Sequence, residues 1–97
     1  MPKKGERITA VHLIVVLTEN KGIGMRYTDV YKAMRARGWK HNYTSTIDNL
    51  RYLVNQGDIV KVEWHLNPRY SVPATRANGT RYVVLKNQGL KDEIVEL

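Results

Sequence analysis

The stretch from Asn42 to Gly57, running at once into Asp58-Ile-Val-Lys-Val-Glu-Trp64, constrains this chain more than any other. At about 100° per residue, Tyr43, Ile47, Leu50 and Val54 fall on one stripe, and Ser45, Asn49, Tyr52 and Gln56 fall on the opposite one. The spacing predicts a helix over 43–56, with Gly57 supplying the left-handed residue that ends it. From Ile59 to Leu66 the period changes from helical to alternating, Val60, Val62, Trp64 and Leu66 against Lys61, Glu63 and His65, which predicts a strand. A helix that passes through one glycine into a strand restricts the chain to a mixed α+β domain.

The flanking elements build out that domain. Ile8–Asn20 is the first element: from Ala10 to Leu17 it is apolar with His12 alone as a polar interruption, Thr9 is a candidate cap and Asn20-Lys-Gly22 a stop. Its β-branched residues also suit a buried strand; length and caps favour helix. A helix apolar nearly all round needs cover on more than one side, from the core and from a second subunit. Residues 23–27 read as a short extended link. Thr28-Asp29 opens a second helix that Gly38 closes, and Trp39–Asn42 has the length of a tight helix-to-helix turn. Thr80–Lys86 forms a second strand, and residues 67–79, with Pro68, Pro73 and Asn78-Gly79, read as the long tip of a hairpin. In the tail, Leu90, Ile94 and Leu97 share one helical face, which predicts a short helix.

Charge narrows the function. Of the net charge of +7, the last eleven residues carry one lysine against three carboxylates, so the first 86 carry +9. A basic arm (1–7), a basic domain (8–86) and an acidic tail (87–97) therefore follow each other along the chain. So strong a positive charge on a small domain attracts polyanions, of which nucleic acid is the commonest inside cells. There is no cysteine, and no segment approaches the roughly 20 apolar residues of a membrane span. The expected location is cytoplasmic. His12, His41 and His65 stand far apart with no ligand spacing, so no metal or other cofactor is expected. Nor is an enzyme: the acidic residues are scattered, and Gly22-Ile-Gly24 is too short for a phosphate loop.

Helix, short strand, helix, turn, helix, strand, loop, strand is an order that resembles the winged helix-turn-helix superfamily over residues 8–86. The resemblance is carried by Tyr43-Thr-Ser-Thr-Ile47, Leu50-Arg-Tyr-Leu-Val54 and Gln56-Gly-Asp-Ile59, which look like the recognition helix and first wing strand of small prokaryotic regulators. It implies three helices plus a β-hairpin wing, and a chain that binds double-stranded DNA. In that reading the start of helix 43–56 enters the major groove and presents Thr44, Ser45, Asp48 and Asn49, with Tyr52 nearer the phosphates. Asn49 is the best candidate for a bidentate bond to adenine; Asp48 either accepts from cytosine or pairs with Arg51. Lys40 and His41 would sit beside the backbone, and Arg69, Arg76 and Arg81 on the wing would meet phosphates or the minor groove.

Each assignment has a plainer alternative. An outward face rich in Asn and Ser is ordinary on a surface helix, yet this one lacks the Lys and Glu such faces usually carry. Exposed loops are often charged, yet no acidic residue interrupts the chain between Glu63 and Asp92. Trp39 and Trp64 read as core residues, and Tyr70 as the one aromatic placed to touch a base or sugar. A homodimer through helix 8–20, the tail or both is expected. Competing functions are a non-specific nucleoid, replication or RNA-binding accessory and a protein–protein adaptor.

Overall fold

The computed structural model describes residues 7–65, 67–87 and 89–97. The basic arm up to residue 6 and the end of the first predicted strand at Leu66 lie outside the described residues. Three helices come first: α1 (Ile8–Glu19), α2 (Tyr27–Ala36) and α3 (Tyr43–Gln56). Five short strands follow: β1 (Val60–Trp64), β2 (Asn67–Ser71), β3 (Ala74–Thr75), β4 (Arg81–Leu85) and β5 (Glu93–Glu96).

The helices begin and end on local chemistry. Asn42 caps α3, its Oδ1 accepting from Ser45 N at 2.7 Å. Gly57 at φ 82° lets the chain leave α3, and Asp58 N returns to Leu53 O at 3.0 Å. Gly38 closes α2 in the same way, with Trp39 N on Met34 O at 3.1 Å. Two expected caps move. Helix α2 starts one residue before Thr28, with Arg26 at its N-cap and Asp29 Oδ2 accepting from Arg26 N at 3.3 Å. Helix α1 starts at Ile8, so Thr9 is inside it and its hydroxyl is free for a tertiary bond.

The helices pack around Leu13, Leu17, Val30, Met34 and Leu50, all 1% exposed or less, with Ile59 and Tyr70 closing the cluster from the sheet side. The large apolar residues of α1 left exposed are Ile8 and Val11, each about half exposed.

The strands do not pair as a long-tipped hairpin. β1 pairs antiparallel with β2, Trp64 opposite Asn67, so the hairpin turns within two residues. His65 there has φ 54°, the left-handed conformation that two-residue turns require. β4 pairs instead with β3 and β5. The tail is therefore a strand: Ile94-Val95 supplies β-branched residues, and β4 offers an open edge that outweighs the helical spacing of Leu90, Ile94 and Leu97.

The extended link after α1 joins the two sheets. Ile23 bridges Val84 and Met25 bridges Tyr70, with Gly24 N on Val84 O at 2.9 Å and Met25 N on Tyr70 O at 2.8 Å. Only glycine permits so close an approach at position 24. A Cβ there would stand 2.7 Å from Leu85 Cδ2 and 3.0 Å from Arg69 Cβ. Val62, Val83 and Leu85 form a second small core between the hairpin and the β4 sheet, flanked by Trp64 and Val95.

Candidate nucleic-acid interface

Burial rotates α3 by one position from the phase read in the sequence. Its inner face is Thr46, Asn49, Leu50 and Leu53; its exposed stripe is Thr44, Asp48, Arg51 and Asn55. Part of the cause lies in the short polar residues, whose donor groups bond within the helix. Thr46 Oγ1 donates to Asn42 O at 2.8 Å, and Asn49 Nδ2 donates to Ser45 O at 2.8 Å. Thr46 can therefore be buried at modest cost, whereas Asn49 is buried with its Oδ1 left without a partner among the described residues. Tyr43, assigned to the core stripe, instead turns out to solvent, stacking on Tyr31 at 4.0 Å between centroids and meeting Tyr27 edge-on at 6.0 Å.

Asn49 is thus placed wrongly for a base contact: it is 7% exposed and faces inward. Ser45 is half-buried, its hydroxyl 3.1 Å from Thr9 Oγ1. Tyr52 is half-buried beneath the Arg7 guanidinium, 4.3 Å from its ring centre. Thr44 and Asp48 are on the exposed stripe, and Lys40 is exposed in the turn. Asp48 and Arg51 are not joined by an ion pair among the described residues. Arg51 and Asn55 are the surface residues that the sequence reading missed. A phase anchored on the Leu50 and Leu53 pair, rather than on Tyr43 and Val54, would have found them.

His41 is drawn into the protein. Its Nε2 lies 2.8 Å from His12 Nδ1, its Nδ1 lies 3.1 Å from Thr9 Oγ1, and His12 stacks on Trp39 at 3.8 Å. This chain ties the α2–α3 turn to α1, joining two histidines that stand 29 positions apart. Burial, then the neighbouring His12 and Arg35, holds the His41 pKa below its ordinary value. The ring is positioned as a structural strut, and its nitrogens are not free for a phosphate.

The wing residues disperse. Tyr70 is 8% exposed and belongs to the main core, so it cannot stack on a base. Arg69 lies within β2, half-buried, with its guanidinium 4.8 Å from the Trp64 ring centre. Arg76 and Arg81 are exposed, but on the β3–β4 side, with Arg76 4.6 Å over the Tyr82 ring. The three arginines do not share one hairpin tip. Lys61, Glu63 and His65 line the exposed side of β1 and its turn, where Lys61 Nζ and Glu63 Oε1 are 3.1 Å apart.

Among the described residues no group of three His, Asp or Glu side chains is placed to hold a metal ion, and no helix is long and apolar enough to cross a membrane.

This arrangement, three helices with the third leading into an antiparallel hairpin, is the winged-helix fold. Two solved structures share it. The ferric uptake regulator from Francisella tularensis, solved with iron, superposes with a TM-score of 0.68 at 14% identity, covering 100% of this chain and 72% of that one. The Vibrio cholerae ferric uptake regulator, described with rearranged DNA-binding domains, gives 0.69 at 12% identity over 95% of this chain and 67% of its own. No family profile matches the sequence, and no curated relative does.

Proposed function

We propose that this chain binds double-stranded DNA as a transcription regulator, with α3 in the major groove. The observation that carries the reading is the exposed stripe Thr44, Asp48, Arg51 and Asn55, open on a domain of net charge +7. Arg51 suits guanine and Asn55 suits adenine, each by a bidentate pair, while Thr44 stands at the helix start where groove contacts begin. Lys40 in the turn supplies a phosphate contact, and Arg76 and Arg81 supply electrostatic capture from the sheet. Asn49 and Tyr70 have structural roles in this reading. Both superposed proteins are regulators, which supports the class. A homodimer is part of the proposal, through the exposed Ile8 and Val11 edge of α1 or the exposed Ile94 of β5 with Leu97 just beyond it. Its two-fold symmetry would space half-sites about 34–36 Å apart. The working compartment is the cytoplasm.

Fluorescence anisotropy with a random-sequence duplex across a salt series tests this. The expected result is a log–log slope of about −0.9 per phosphate neutralised. Arg51→Ala should cost about 1–3 kcal/mol on a specific site. Asn49→Ala should lower stability and leave base preference unchanged. No binding at low salt would overturn the proposal and favour an adaptor role.

A further inference from the structure

A cleft of about 540 Å³ lies between the start of α2, strand β2 and the connection from β4 to β5, lined by Arg26, Asp29, Arg69, Lys86, Asn87 and Asp92. None of these belongs to α3. Two of its three cations are already matched. Arg26 holds Asp29 through two bonds of 3.1 Å, Nε to Oδ2 and Nη2 to Oδ1. Lys86 Nζ reaches Asp92 Oδ2 at 3.0 Å, and Asp92 Oδ1 accepts from Asn87 N at 3.1 Å. Both carboxylates are held below their usual pKa range. For Asp29, burial pushes the other way and is outweighed by Arg26; for Asp92, the Lys86 bond leads.

Arg69 is the cation left over. Among the described residues it has no ion-pair partner, and its Nε is buried without a hydrogen-bond acceptor. Burial, then the charge of Arg26, pulls its pKa down, with Asp29 opposing. A buried guanidinium donor left without an acceptor is costly, and arginine's planar fork matches an oxyanion in two bonds. Trp64 fixes that fork from one side.

We propose that this cleft binds one oxyanion, a phosphate or carboxylate group, on Arg69, with Lys86 and Asn87 at its rim. The group arrives either on a free small molecule or as a backbone phosphate of DNA, and the second source rests on the DNA reading above. The net charge of the lining residues, three cations against two carboxylates, accepts a single negative charge.

NMR titration of the full chain with inorganic phosphate at low ionic strength tests the first source. Saturable shifts at Arg69 Nε–H and the Asn87 amide are expected, weakened at least about tenfold in Arg69→Gln. Lys86→Gln, at a side chain 61% exposed, provides a second variant that removes only a surface ion pair with Asp92. The second source is read from DNA anisotropy: in each variant the salt slope should shrink by about 0.9, one phosphate contact. Saturable binding assigns the cleft to a free anion. A reduced slope without phosphate binding assigns it to DNA. Unsaturable shifts insensitive to Arg69→Gln, together with unchanged slopes, overturn the proposal. If the wild-type chain binds no DNA, the phosphate titration decides alone.

Discussion

The helices and the strands of this domain are held by contacts of different reach. Around α3, Asn42 bonds Ser45 N, Thr46 bonds Asn42 O, and Gly57 lets Asp58 turn back on Leu53, all within five residues. In the sheet, Ile23 must find Val84 and Met25 must find Tyr70. The ends of α3 can therefore be specified residue by residue. The strand part depends on Gly22 and Gly24 admitting a backbone between two others. Loop-closure entropy must be met before those pairings contribute anything.

The comparison is broken most forcefully at Gly24. Gly24→Ala adds a Cβ 2.7 Å from Leu85 Cδ2, where Leu85 is fully buried. Overpacking of this kind costs about 1–3 kcal/mol, read as a lower urea midpoint with unchanged slope. An unaltered midpoint would show that the junction yields easily. On the local side, Asn42→Ala should cost about 1 kcal/mol through loss of the N-cap. Hydrogen exchange should then speed up at Ser45 N, at the mouth of α3, before it does so in the sheet. A uniform loss of protection would mean that helices and sheet open as one unit.

The smallest effect expected is on pH. His41 has a folded pKa below its ordinary value, so the unfolded chain takes up its proton first as pH falls. Its contribution is fully present above about pH 6.5 and declines below it, until the folded ring also titrates. The melting temperature should fall over that window in the native chain and fall less in His41→Gln. Equal falls in both would place the titration elsewhere.

Much of the helical half was legible. The bounds of α3 match the reading from Tyr43 to Gln56, because its caps are encoded in the four or five residues at each end. Its rotation was legible only through the Leu50 and Leu53 pair, since a side chain such as Asn49 counts as polar in any periodicity yet is buried here with Ser45 O accepting its amide. The strand segments were partly legible: 60–64 and 81–85 fall within predicted strands, but their mutual pairing did not. Alternation reports a half-buried strand without naming its neighbour. Leu90, Ile94 and Leu97 fit a helix by spacing and lie around or within a strand, because β4 had an unpaired edge.

For the candidate site the division is similar. Lys40, Thr44 and Asp48 lie exposed as expected, whereas Ser45, Asn49, Tyr52 and Tyr70 are partly or wholly drawn in. His12 with His41, and Arg69 with Arg26, are neighbours that no spacing announced.

Sequence alone determined the α+β class, the three helices, the glycine that releases α3 and the positive charge, because each depends on composition or on residues a turn apart. Tertiary structure alone decided which face of α3 is open, which strand β1 takes as partner, and that a single unmatched arginine lines a cleft between α2 and the sheet. Those outcomes depend on where distant backbones meet, and on which buried polar groups find an acceptor there.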